Sequence, residues 1–97
     1  MDFRFTDKRL EALYYEDDAH GLPVGIGEAF VRVVSVVAAA TDERDLRALG
    51  SLRYEKLKGK RSHQHSLRLN KQYRLIVERE KGKNGVTLVI VGIEDYH

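Results

Sequence analysis

Hydrophobic positions along this 97-residue chain change their period about half-way. In the first half they recur at helical spacing. Phe3 and Phe5 would share one face of a short strand over residues 1–5. Thr6 or Asp7 then offers an N-cap oxygen to the free backbone N–H groups of a first helix carrying Leu10, Leu13 and Tyr14, which fades through Glu16 to His20. Gly21-Leu22-Pro23, with the one proline of the chain, breaks the pattern before a second element. There Val31, Val33, Val34, Val36 and Val37 are β-branched and favour a strand. Ile26, Phe30, Val33, Val37 and Ala40 nevertheless form one stripe at helical period, and the segment is too long for a usual strand. The reading is a helix. Thr41, followed by Asp42 and Glu43, opens a short third helix ending near Gly50, with its acids at the positive end of the helix dipole.

From Arg53 onward the period is two. Tyr54 and Leu57 flank a short strand, and Lys58-Gly59-Lys60-Arg61 forms a basic turn. His65, Leu67 and Leu69 share one face of the next strand. In the strand after it, Tyr73, Leu75 and Val77 face one way while Arg74, Ile76 and Glu78 face the other. The loop Lys81-Gly82-Lys83-Asn84-Gly85 contains an Asn-Gly pair that favours a hairpin. Val86 to Ile93 is almost continuously apolar, as in a central strand covered on both faces. Helices come first and an antiparallel sheet follows. The class is therefore α+β, in a single domain over residues 1–97.

Composition narrows the classes further. With 42% hydrophobic and 33% charged residues, the chain is neither disordered nor membrane-spanning. Its longest near-apolar run, Phe30 to Ala40, is interrupted by Arg32 and Ser35 and falls short of the about 18 residues that a transmembrane helix needs. No basic-then-apolar leader opens the sequence. The expectation is a soluble cytoplasmic domain. The lack of cysteine excludes disulfides, thiolate zinc sites and a cysteine nucleophile. The net charge of +2 hides an asymmetry: residues 1–50 carry six Lys/Arg against ten Asp/Glu, and residues 51–97 carry eleven against five. Positive charge gathered in one half steers polyanions to that surface, although it also serves simply to solvate a sheet.

Several motifs lack the context their chemistry needs. Gly25-x-Gly27 precedes a helix, but no strand leads into it from a βαβ unit. Lys58-Gly59-Lys60 has neither the upstream glycine nor the trailing Ser/Thr of a phosphate-binding loop. His63-x-His65 would put two imidazoles on one face of a strand, but no acidic residue at informative spacing completes a metal set. No cofactor or metal is expected, and no nucleophile elbow is present. The stronger constellation combines the basic turn, Arg74 and the closing Glu94-Asp95-Tyr96-His97. Four residues able to accept protons, donate them or stack stand at the end of an apolar strand. The plain alternative is a frayed terminus or the remnant of a tag.

Three blocks carry a resemblance to a known family: Leu57-Lys58-Gly59 after a short strand, the triplet Tyr73-Arg74-Leu75, and the closing Asp95-Tyr96-His97. In this order and spacing the chain resembles the RelE/ParE toxin superfamily and, in detail, its HigB-type members. The Phe3-x-Phe5-x-Asp7-Lys8-x-Leu10 opening is compatible with that likeness. The resemblance implies a helical pair packed on a curved antiparallel sheet. It implies a toxin of a type II toxin–antitoxin system that cleaves mRNA on the translating 70S ribosome. It also implies a HigA-type helix-turn-helix antitoxin as partner, with DNA reached only through that antitoxin and no membrane involved. Carried over by position, Lys58, Arg74, Asp95, Tyr96 and His97 match the family's catalytic positions. The sequence departs from the family at Glu55, where many relatives have histidine, and at His63-Gln64-His65, where they often read Gly-Tyr-Trp. Either the histidine role has moved to His63 or His65, or cleavage is weaker.

Metal-free RNA cleavage needs a base near the ribose 2′-OH, cations for the charge that builds on phosphate, and a proton source for the leaving oxygen. Lys58 and Arg74 suit the cations, His97 and Asp95 the proton transfers, and Tyr96 stacking on a base or donating its hydroxyl. Lys56, Lys60, Arg61, His63, His65 and Lys71 are the expected contacts to RNA and ribosome. Two other classes stay open: a ParE-like poison of DNA gyrase, and a non-catalytic basic module that binds RNA or protein.

Overall fold

The computed structural model describes residues 1–96. Its elements are β1 (Phe3–Phe5), α1 (Lys8–Glu16), α2 (Ile26–Ala39), α3 (Glu43–Ala48), β2 (Glu55–Lys56), β3 (Gln64–Arg68), β4 (Tyr73–Gly82) and β5 (Gly85–Asp95), with 3₁₀ turns at Gly50–Leu52 and Gly59–Arg61. The five strands form one sheet in the order β1-β5-β4-β3-β2. Four of them are antiparallel neighbours, as the sequence predicts. The exception is β1, which lies parallel to β5 with Phe3 opposite Leu88 and Phe5 opposite Ile90. The sheet is therefore mixed. The three helices between β1 and the rest of the sheet form a long connection, which is what a parallel pairing requires.

Two of the three α-helices start at a side-chain cap. Asp7 accepts the Leu10 backbone N–H at 2.8 Å and caps α1, and Asp42 accepts that of Arg44 at 2.9 Å ahead of α3. Between them α2 has no side-chain cap and begins at Gly25, whose φ of 85° favours a residue without Cβ. Its β-branched run is helical because burial outweighs propensity: Ile26, Ala29, Phe30, Val33, Val34 and Val37 are all buried. Of these, Ala29, Phe30, Val33, Val34 and Val37 join Leu13 in one core on one face of the sheet, with Leu67, Leu75, Val77, Leu88 and Ile90. An aromatic group of Phe3, Phe5, Tyr14 and Phe30 closes the β1 end of this core, with ring centroids 5.6–6.1 Å apart.

The sheet's other face carries several of the candidate site residues, and a β-bulge determines which residues reach it. From Tyr73↔Asp95 to Ile76↔Gly92 the register of β4 and β5 is regular, but Val77 pairs with Ile90, so β5 holds one extra residue at this point. Alternation along β5 thereby changes phase. Leu88 and Ile90 belong to the core on one side of the bulge, and Ile93 packs on it from the other. Glu94, opposite Arg74, and then Tyr96 accordingly lie on the face away from the helices. The hairpin between β4 and β5 is tighter than the sequence predicts: Gly82 still pairs with Gly85, and the positive φ (110°) falls on Gly85. Of the apolar stretch in β5, only Leu88, Val89 and Ile90 are buried. The helices cover the centre of that strand and leave both its ends half-open.

Candidate active site

Arg74 is the organising residue. Alternation in β4 turns it away from the core, yet it is only 9% exposed. Its guanidinium lies over the Tyr96 ring at 4.7 Å, and Nη1 donates to the Arg53 carbonyl at 3.5 Å. Arg53 itself takes a left-handed conformation (φ 47°) after the 3₁₀ turn, which aims that carbonyl. Tyr96 is held by its backbone N–H, which donates to Gln72 O at 2.6 Å, and the Gln72 amide donates to Asp95 Oδ2 at 3.1 Å. Arg53, Arg68, Asn70, Lys71, Arg74 and Tyr96 line an open cleft of about 400 Å³. Among the described residues the lining contains four cationic side chains, an amide and a phenol, and no carboxylate.

Glu94 would be the natural partner of Arg74, being directly opposite it in the register. Arg61 occupies that carboxylate instead. Its two Nη groups meet the two Glu94 oxygens at 2.9 and 2.6 Å, while Nε and Nη2 reach Gln64 Oε1. This fork holds the basic turn against the Arg74 face and leaves Arg74 without an ion pair among the described residues. Arg61 is thus engaged in positioning the turn. Lys58 heads the turn, exposed and in extended conformation, with Lys60 exposed after it, and Lys56 is exposed on the edge strand β2.

The two histidines part company. His63 precedes β3, so strand alternation does not govern it, and its Nε2 stands 3.9 Å from Glu78 on the cleft face. His65, within β3, is on the helix side with its ring stacked on Tyr54 at 4.9 Å. Its Nδ1 is buried without a hydrogen-bond partner, and burial pushes its imidazole below the usual histidine value. The structure does not bring His65 to Arg74. No group of three or more metal-ligating side chains occurs among the described residues. Around Tyr54 there is a second polar network. The Glu43 carboxylate, 8% exposed, accepts from Tyr54 Oη at 2.6 Å and from Arg79 Nε and Nη2 at 2.8 Å each. Burial alone would raise the Glu43 carboxyl, but these donors outweigh it and hold it below the ordinary range. Burial and the adjacent carboxylate push the Tyr54 phenol well up.

Among the sequence-derived candidates, then, Arg74, Tyr96 and Lys71 share the cleft, with Asp95 tied to it through Gln72. His97 lies outside the described residues. Arg53, Arg68, Asn70 and Gln72 escaped the sequence reading. The signal for Arg68 was available: counting back across the hairpin from Arg74 places it directly opposite.

Helices packed on one face of an open five-stranded mixed sheet make the RelE-like toxin fold. The structure is similar over 100% of both chains to a YoeB/ParE toxin from Agrobacterium tumefaciens, with a TM-score of 0.59 at 13% identity. Residues 3–97 match the family described as the RelE-like toxin of type II toxin–antitoxin system HigB. Toxin HigB-1 from Vibrio cholerae serotype O1 is 42% identical over 79 residues, which are 80% of this chain and 83% of that protein. The chain belongs to the HigB-like toxins of type II toxin–antitoxin systems, and an antitoxin is the partner this implies. Among the described residues no helix is long and apolar enough to cross a membrane.

Proposed function

We propose that this toxin is a ribosome-dependent mRNA endoribonuclease that halts translation and is neutralised by a HigA-type helix-turn-helix antitoxin. The observation that carries this reading is the nearly buried Arg74 guanidinium. It is stacked on Tyr96 and has no carboxylate partner among the described residues, in a cleft lined by further cations. Desolvating an unpaired guanidinium is costly, and an anion that binds there recovers the cost.

In the proposed reaction the ribose 2′-oxygen attacks the adjacent phosphorus. The bond from phosphorus to the 5′-oxygen breaks, leaving a 2′,3′-cyclic phosphate and a 5′-hydroxyl. Arg74 contacts the non-bridging oxygens as charge builds on them, and Lys58 approaches from the basic turn that Arg61 and Glu94 hold on this face. Asp95 and His97 take the proton from the 2′-hydroxyl and deliver one to the leaving oxygen, with no metal or cofactor. Tyr96, 49% exposed beyond its contact with Arg74, offers a ring face for a nucleobase. Because so small a site has few recognition groups, the 70S ribosome supplies in-line positioning of the message.

Mapping of mRNA 5′ ends by primer extension in a translation extract tests the reading, with and without ribosomes. Wild type should cut only with ribosomes. Arg74→Ala should lower the cleavage rate by about a hundredfold or more while ribosome binding changes little. Removal of His97 should also suppress cutting. Growth arrest by wild type without any cut messages would overturn the proposal and favour the gyrase reading.

A further inference from the structure

We propose that Arg68, assisted by Lys71, forms a second phosphate site that holds the phosphate next to the one cleaved at Arg74. This rests on the nuclease reading and specifies its substrate: a strand with at least two consecutive phosphates in the cleft.

Arg68 and Arg74 are directly opposed on β3 and β4 and line the same cleft. Like charges in that relation destabilise a sheet. Among the described residues neither arginine has an ion pair to offset the cost, and the cleft contains no carboxylate. Two anionic groups at neighbouring positions would relieve it. Directly opposed Cα atoms of an antiparallel pair are about 5 Å apart, so these side chains reach adjacent phosphates of one strand rather than distant ones.

The two arginines are also held differently. Arg74 is nearly buried, with its guanidinium against Tyr96 and the Arg53 carbonyl, as suits the reacting phosphate. Arg68 is half-buried, and its Nε donates to Asn70 O at 3.2 Å, which leaves both Nη groups for an outside acceptor. The hairpin tip that carries it is fixed from several sides. Asn70 Oδ1 accepts the Gln72 and Tyr73 backbone N–H groups at 2.8 and 2.7 Å, and Arg32 from α2 donates to Leu69 O at 3.3 Å. Arg68 is therefore pre-organised, and ordering it on RNA costs little entropy. Lys71 extends from the same tip into the cleft.

The test uses the full chain with programmed ribosomes and messages carrying one uncharged methylphosphonate, placed one linkage to either side of the cut. Wild type should cut one of the two messages about tenfold more slowly than the unmodified message. Arg68→Ala should cut the unmodified message about tenfold more slowly and show no further loss on that modified one, whereas Arg68→Lys recovers part of the rate. Circular dichroism verifies that each variant is folded. Independent, multiplying losses would overturn the second site, as would unchanged cleavage by Arg68→Ala. Normal cleavage by Arg68→Ala with loss of neutralisation by the antitoxin would overturn it too, and would assign Arg68 to an acidic protein surface. No cutting by wild type on any message would instead sink the nuclease reading itself.

Discussion

At the scale of single residues, the polar groups divide by which face of the sheet they serve. On the helix side, Glu43, Tyr54, His65 and Arg79 make a network that joins α3 to the sheet. Its energetics belong to folding. Tyr54→Phe removes one hydrogen bond to a carboxylate that keeps both its Arg79 contacts, so chemical denaturation should show a loss of about 1–2 kcal/mol. His65 gives this network a pH signature. Burial lowers its pKa, with Glu43 opposing and Arg79, Arg47 and Lys56 adding to the effect, so the folded chain keeps the ring neutral where the unfolded chain takes up a proton. The unfolded state then binds more protons. The contribution of His65 is fully present above the unfolded value of about 6.5 and is lost as pH falls from there toward the lower folded value. Urea unfolding at pH 7.5, 6.5 and 5.5, taken as roughly bracketing that window, should show stability falling with pH in the wild type. A shallower fall is expected for His65→Gln.

At the scale of elements, close approach and phase matter more than propensity. Gly27 occupies the first turn of α2, where a Cβ would come within 2.9 Å of Ala19 Cβ and 3.4 Å of Leu13 Cδ1. Alanine usually stabilises a helix by about 1 kcal/mol over glycine, yet here overpacking costs about 1–3 kcal/mol. Gly27→Ala should therefore lower the urea midpoint, and adding Ala19→Gly, which removes the nearest atom, should restore most of it. The bulge in β5 is the other decisive element. Were the same residues to run as a regular strand with no bulge, Glu94 and Tyr96 would share the phase of Leu88 and Ile90 and face the helices.

At the scale of the whole molecule, the charge asymmetry acquires a location. The acidic half of the sequence forms the helices and β1, and the basic half forms the rest of the sheet and the cleft. A polyanion approaching the protein is attracted to the sheet side, which sets orientation and on-rate before any specific contact forms. If the toxin acts on the ribosome as proposed, its affinity there should fall steeply with salt as counterions are released. A plot of log affinity against log salt should lose about one unit of slope in Arg68→Ala if that side chain neutralises one phosphate, and filter binding at several ionic strengths measures it.

What the sequence determined by itself was local and periodic. The helical stripe in α2 outranks its β-branched composition because period reports burial, and side-chain oxygens before an apolar run mark helix starts at Thr6 or Asp7 and near Thr41, between which the structure selects Asp7 and Asp42 as caps. The α+β class and the RelE-like family were both legible there, as was the candidacy of Arg74 and Tyr96, because alternation and motif order survive without coordinates. Non-local facts were left to the tertiary structure. The parallel pairing of β1 joins residues more than eighty positions apart. Arg61, a candidate RNA contact in the sequence, also pairs with Glu94, because the turn folds back over a strand far along the chain. His65 goes to the helix side while His63 stays outside the strand, and the break in alternation at the β5 bulge puts Tyr96 on the face of Arg74. Side-chain direction in a sheet has a period of two, so one bulge or one residue of strand boundary reverses it, and only the closed register of neighbouring strands says where that residue falls.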